Sequence, residues 1–561
     1  MAEKASIVLR GGHVQTMVAP DDIASAVAVC GNRIAYVGDD AGAEAYIGEG
    51  TKVIDLDGRF VCPGFMDGHL HVPGKWITTL YQIDLEGKST NEEYVETIRS
   101  FIEAHPDEEV YTGQPFLLNA YMLEDGSNPG PHKRDLDAIC DTKPILLYDL
   151  SVHSVWVNSF VLDALGITRD TPDPEGGLIQ RDKDGEPTGY LVDNAMWMAN
   201  HMFPGLQISD EIWETTMAAF QDEANSMGVT AVVDLVDPAW LSDYPYQVSH
   251  YHRWEDEGRL HLRVRPAFTA QPGDKAEDVI GIVKEATAET SNLVRPGMVK
   301  IYGDGVTESA TAVMLEPYLE AAGQGEDWFG GDPIWDRKEF EDMVDALDAE
   351  GIQVHVHAIG DGMVRRTIDA YEHALNTNGM RDARHTITHV CAISYADIPR
   401  LAKLGIPCAL QFLWMYRDEL CELEEAFIGT QRAMAMYPVK DMVDAGVLVS
   451  GASDTPVTPY DPILEIQVGV TRNSPYPGER DTDMYRWPEQ GLTAYQMLEI
   501  YTKNVAYQNF WEDELGTVEV GKLADLVVLD RNILEVDPSL ISDTRVDYTM
   551  SDGRIVYCRE G

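Results

Sequence analysis

Short apolar runs and longer amphipathic segments alternate through the middle of this chain. The runs are Gly228-Val-Thr-Ala-Val-Val-Asp, Leu260-His-Leu-Arg-Val-Arg-Pro, Gly297-Met-Val-Lys-Ile-Tyr, Gly351-Ile-Gln-Val-His-Val-His, His385-Thr-Ile-Thr-His, Gly405-Ile-Pro-Cys-Ala-Leu and Gly446-Val-Leu-Val-Ser-Gly. Between several of them lie helix-like stretches such as Ser209–Met227 and Arg337–Glu350. A strand that recurs after every helix implies parallel pairing through crossover connections. With Phe60–Phe65 as a first strand the count comes near eight, which predicts an α/β fold of the (β/α)8 TIM-like barrel type. Such a barrel needs roughly 250 residues. The surplus lies before Gly228, so residues of about 75–215 read as an inserted subdomain or long lid.

The two ends have a different texture. Ser6-Ile-Val-Leu-Arg precedes a Gly-Gly turn, and Ala26–Gly38 reads as two strands joined at Gly31-Asn32. Lys52–Val61 reads as another pair around Asp57-Gly58, and Asp547–Tyr557 as a pair around Asp552-Gly553. Such dipeptides favour the left-handed backbone of tight hairpins. Residues 1–60 and 505–561 are therefore expected to form one composite domain, a small β-sandwich. Residues 61–504 are expected to form the barrel.

The formal charge is −53, from 95 acidic and 42 basic side chains. Phosphate backbones repel such a surface, so nucleic acid is not an expected partner. No apolar run reaches the roughly 18 residues of a membrane span, and the N-terminus lacks the pattern of a signal peptide. The seven cysteines are odd in number and contain no C-x-x-C pair. That disfavours a disulfide framework and a thiolate zinc site, and fits free thiols in the cytoplasm. A small-molecule substrate is the expected partner, and assembly as a homodimer stays open.

Pro63-Gly-Phe-Met-Asp-Gly-His-Leu-His closes the first predicted barrel strand. His69 and His71, two residues apart on a strand, face the same way and could share one cation. Lys300 sits inside a strand predicted to line the barrel, where an unpaired ammonium is costly; a nearby acid such as Asp304 could pair with it. His355 and His357 share a face, as do His385 and His389, and spacing does not choose between the members of either pair. Asp454 follows the last apolar run, as a carboxylate at a strand end or as a helix cap before Thr455-Pro456. Gln411-Phe-Leu-Trp-Met-Tyr reads chiefly as core packing.

Pro63–His71 closely resembles the strand-one motif of the amidohydrolase superfamily. The rest of the chain is similar to its YtcJ-like branch, the amidohydrolase 3 family. The similar stretches follow in order: Gly176–Gly189, Met227–Asp234, Val299–Gly305, His355–Asp361, Arg384–His389, Ser450–Val457 and Gly521–Asp530. The resemblance selects His357 over His355 and His389 over His385. It implies a metal site of His69, His71, Lys300, His357, His389 and Asp454, holding one or two divalent ions, with zinc first. It also implies carboxylation of Lys300 to a bridging carbamate. The acid usual just before the later histidine is Thr388 here. Asp149–Ser159 matches a further family stretch, which makes His153 a candidate substrate contact; a structural role for it is the alternative.

The expected activity is metal-assisted hydrolysis of a non-peptide C–N bond of a small molecule, such as an N-acyl or N-formyl amine or a cyclic amide. Asp454 would carry the proton from water to the leaving nitrogen. Deamination, ester or lactone hydrolysis and decarboxylation on the same site are alternatives, as is a binding protein without catalysis.

Overall fold

The computed structural model describes residues 4–559, apart from 124–127, 175, 204–207, 237–242, 326, 332–333, 419 and 481. The predicted ends of the composite domain at 1–3 and 560–561, and parts of the predicted insertion at 124–127, 175 and 204–207, lie outside the described residues.

A barrel of eight parallel strands forms the centre. Its strands are β1 (Phe65–Leu70), β2 (Val229–Val236), β3 (Arg263–Ala270), β4 (Met298–Tyr302), β5 (Gln353–Ala358), β6 (Thr386–His389), β7 (Cys408–Leu410) and β8 (Val449–Gly451). They pair in chain order from β1 to β8. Helices cover the outside. In Arg337–Ala349, Phe340, Met343, Val344 and Leu347 form one buried stripe at helical spacing, and the Asp336 side chain caps the start by accepting from Lys338 and Glu339 N–H.

The seam between β8 and β1 is closed past the strand ends. Asp454 N–H donates to His69 O (2.9 Å), and His71 N–H to Thr455 O (3.0 Å). The buried Asp67 carboxylate accepts from His69 N–H at 3.0 Å and Ser453 N–H at 3.2 Å. Gly68 permits this approach, since a Cβ there would lie 2.9 Å from Gly451 O.

The expected first barrel strand, Phe60–Phe65, divides in two. Phe60–Pro63 pairs with Leu526–Leu529 and His13–Gln15 outside the barrel, and β1 begins at Phe65. Pro63 has no N–H to extend a ladder, and at Gly64 the backbone passes too close to the Thr230 side chain for any Cβ. The expected pair around Asp57-Gly58 also separates. Lys52–Asp55 runs parallel to Ile7–Arg10 in one sheet, while Phe60–Pro63 joins another. Asp57 and Gly58, both at positive φ, carry the chain between the two.

Those two sheets contain both ends of the chain. One has four strands and includes Ile7–Arg10; the other has six and includes Val546–Ser551 and Arg554–Cys558. Val14, Val27, Val29, Val61, Leu526 and Val528 share one core between them. A further six-stranded mixed sheet, from Ile83–Asp84 to Pro187–Asp193, lies between β1 and β2 in the chain. No helix among the described residues is long and apolar enough to cross a membrane. Among the described residues, no disulfide joins any of the seven cysteines.

Candidate active site

The C-terminal ends of the barrel strands gather the polar residues. His69 comes from β1 and His71 from just beyond it. The Nε2 atoms of both converge on Asp454 Oδ1, at 2.9 and 3.4 Å. One ligand-type atom from each of these three residues lies within 4.8 Å of the others. His357, near the end of β5, and His389, at the end of β6, stand beside them. Their ring centroids are 4.4 Å apart, and His389 is 5.2 Å from His69. Lys300 on β4 is fully buried, with Nζ 3.4 Å from His69 Nε2 and 4.5 Å from the centre of the Tyr302 ring. The fold thus brings all six residues to one place.

Three of the four imidazoles are held from behind. His71 Nδ1 lies 2.9 Å from Leu235 O, His389 Nδ1 2.9 Å from Gln411 Oε1, and His69 Nδ1 2.8 Å from His355 Nε2. Such contacts fix ring orientation and leave the opposite nitrogen for a cation. His389 and Asp454 both have positive φ, at 75° and 60°. Backbone of this kind is unfavourable for non-glycine residues and turns both side chains off the strand line.

Burial governs the charges. Burial and the Lys300 charge hold the His69 imidazole well below its ordinary value. Burial and the neighbouring His389 do the same for His357. His389 falls to about 3 through burial. All three are neutral near pH 7, the form that binds a metal. Burial works against ionised Asp454, but its electrostatic interaction and hydrogen bond with His69, with the hydrogen bond of His71, outweigh it, and its pKa lies well below normal. Neutral imidazole nitrogens beside an ionised carboxylate suit a divalent ion such as zinc.

His153 arrives from the sheet between β1 and β2. Its Nδ1 is 2.7 Å from Asp193 Oδ1, and its ring centroid is 4.8 Å from that of His357. His153, Lys300, Tyr302, His357, His389 and Asp454 line one cavity. Burial opposes a charge on His153, but the Asp193 hydrogen bond and charge raise its pKa.

Several members of this arrangement lack a signal in the sequence. Asp193 lies 40 residues beyond His153 and belongs to no motif that marks it. Gln411 and Trp414 sit in the stretch read chiefly as core packing; Gln411 holds His389, and Trp414 stacks on it at 5.2 Å with the planes 6° apart. The rival histidines separate by depth. His355 contacts His69, and His385 is 2.9 Å from Asp348 and accepts from Val354 N–H. Asp304 accepts from Val313, Ile359 and Gly360 N–H.

An eight-stranded barrel with imidazoles, a lysine and a carboxylate gathered at the C-terminal ends of its strands is the architecture of a barrel hydrolase. The chain belongs to the amidohydrolase family, whose model matches residues 52–557. That makes it a hydrolase of carbon–nitrogen bonds other than peptide bonds. It is 27% identical to the putative amidohydrolase YtcJ of Bacillus subtilis, over 98% of this chain and 99% of that one. It is also 27% identical to the N-substituted formamide deformylase of Arthrobacter pascens, over 100% of both chains. In fold it is similar to an uncharacterized metal-dependent hydrolase from Pyrococcus furiosus, with a TM-score of 0.67 at 23% identity, covering 94% of this chain and 100% of that one.

Proposed function

We propose that this protein hydrolyses the C–N bond of a small N-acyl or N-formyl amine at a divalent-metal centre held by His69, His71, Lys300, His357, His389 and Asp454. The observation that carries the reading is the convergence of His69 Nε2 and His71 Nε2 on Asp454 Oδ1. A metal at such donors supplies an activated water at neutral pH and polarises the carbonyl under attack. The protein's own part is positional and protolytic. Asp454, ionised and facing the cavity, accepts the proton of the attacking water at a carboxylate oxygen and returns it to the leaving nitrogen. His153, fixed by Asp193, reaches the same cavity from the inserted sheet and contacts the substrate there. The formamide deformylase among the relatives favours a formyl or similarly small acyl group.

Lys300 is the unusual donor. A buried ammonium beside imidazoles would repel a second cation. Carboxylation of Nζ would reverse the sign of the charge and would offer anionic oxygens to one or two divalent ions, with zinc as the first choice.

The test is a panel of N-formyl and N-acyl amines, cyclic amides, esters and aminopurines, read by release of acid, amine, ammonia and carbon dioxide. Formate or another acid released with the free amine, and lost on chelation, is the expected result. Ammonia as the only product would move the reading to deamination. Full activity in protein shown by elemental analysis to be metal-free would end it.

A further inference from the structure

A second chamber opens beside the centre. It shares His153, His357 and Asp454 with the first cavity and continues beneath the loops that follow β4, β6 and β7. Part of its lining is apolar, from Leu150, Val306, Ile359 and Trp414. The rest includes Glu308, Asp418, Glu424 and Arg486.

Most of these charges are answered within the protein. Asp418 Oδ1 accepts from Leu420 N–H (3.0 Å) and Cys421 N–H (3.3 Å). Glu424 pairs with Arg486 at 2.7 Å, and Arg486 also donates to Ala433 O at 2.7 Å. Arg472, the other buried guanidinium here, donates through Nε to Arg486 O and does not line the chamber. Glu308 differs. Among the described residues, no other residue bonds to its carboxylate. Burial, with Glu424 and Asp149 close by, pushes its carboxyl up to about 8.

Besides Asp454, three carboxyls and one guanidinium therefore face a chamber continuous with the reacting centre. Glu308 is partly buried, and a carboxylate held there without a partner costs more than one in open water. Its retention beside a catalytic cavity makes sense where an incoming molecule brings the opposite charge.

We propose that this chamber receives a cationic arm of the substrate, an ammonium on a short aliphatic chain, and that Glu308 is the specificity-determining residue that pairs with it. The inference rests on the amide-hydrolysis reading and narrows it. The substrate becomes a singly acylated diamine, with one nitrogen in the amide and the other charged. The apolar lining suits the methylenes, and the arriving ammonium draws the Glu308 carboxyl, which the protein leaves unanswered, into its ionised form.

Binding is tested apart from turnover. The probes are two sulfonamides that water does not cleave: N-(4-aminobutyl)methanesulfonamide, which is cationic, and N-pentylmethanesulfonamide, its neutral counterpart of equal length. Calorimetry on the metal-loaded protein should show the cationic probe bound at least about tenfold tighter. That ratio should collapse toward one in Glu308→Gln and persist in Glu308→Asp, which keeps the charge. Equal binding of the two probes by the wild-type protein, or a ratio that survives in Glu308→Gln, overturns the inference. Formate release from mono-N-formyl-1,4-diaminobutane and from N-formylpentylamine is measured alongside. A binding preference without formate release from either would overturn formamide hydrolysis and leave the cationic chamber standing. Formate release without a binding preference would do the reverse.

Discussion

Asp454 and Lys300 answer opposite electrostatic needs within a few ångströms. Asp454 must stay ionised, and the two imidazoles at 2.9 and 3.4 Å favour that state. A positive charge on Lys300 would oppose a cation held there, and a carbamate would remove that charge. Lys300→Ala is predicted to lose metal and activity together, checked by elemental analysis and turnover on one sample. Short carboxylic acids should restore part of both by occupying the vacated position. A Lys300→Ala protein that keeps its full metal content would show that the lysine is no ligand. Gln411 offers a gentler test, because it touches His389 and not the substrate. Gln411→Ala should weaken metal affinity by about 10–100-fold through loss of ring orientation. The readout is competition against a chelator of known affinity, and an unchanged affinity would remove Gln411 from the centre's support.

Strand β3 does its work at the other end of the barrel. Arg263, fully buried, reaches Asp525 through Nε at 2.8 Å and Nη2 at 3.0 Å, and Asp552 through Nη2 at 2.9 Å. Both acids belong to the C-terminal strand region, Asp525 just before Leu526–Leu529 and Asp552 in the turn between the last two strands. This fork ties the terminal sheets to the barrel floor. Arg263→Leu should cost about 3–5 kcal/mol, since it removes the guanidinium that answers the charge of the buried Asp525. Denaturant unfolding measures it, and adding Asp525→Asn and Asp552→Asn should return part of the loss. The pH dependence has a defined sign. Burial pushes the Asp552 carboxyl up, but hydrogen bonds from Asn292 and Asn32 and the Arg263 charge bring it below its ordinary value. A carboxyl depressed in the folded state contributes stability that is complete above its unfolded value of about 3.9 and is lost as pH falls through the folded one. Acid unfolding of Arg263→Leu should therefore show a weaker dependence in that range. Identical acid profiles would show that the fork contributes nothing there.

The molecule as a whole carries −53 charges on 561 residues. Like charges at that density repel, and the repulsion opposes the compact state. Salt shortens the screening length from about 10 Å at 0.1 M to about 3 Å at 1 M. The melting temperature of the metal-loaded protein should therefore rise as sodium chloride is raised through that range. A fall would mean that the surface ion pairs, weakened by the same screening, outweigh the repulsion. The acidity also bears on the cationic-substrate proposal, since the long-range field attracts the charged arm before Glu308 meets it. Association rate should then drop with salt more than dissociation rate rises.

The strand-by-strand order of the barrel is written in local periodicity, because an apolar run before each amphipathic stretch can bury both faces only in a parallel sheet covered by helices. The turn residues at Gly31-Asn32 and Asp552-Gly553 likewise announce their hairpins, since few other residues accept that backbone. His69 and His71 could be singled out because a two-residue spacing on a strand has a geometric meaning by itself. The choice of His357 over His355, and of His389 over His385, has no such local basis. It turns on depth: His357 and His389 line the cavity, whereas His355 and His385 do not. Asp193, Gln411 and Glu308 are beyond any sequence argument for the same reason. Their partners are His153, His389 and an open chamber, and none of these is near them in the chain or related to them by a strand or helix repeat. The division of Phe60–Phe65 shows the same limit. Its apolar pattern marks a buried strand, but Pro63 and the crowding of Gly64 against Thr230 decide that half of it pairs outside the barrel. Local order follows from what each residue's backbone and neighbours allow. The site depends on distances between segments hundreds of residues apart, and only tertiary packing sets those.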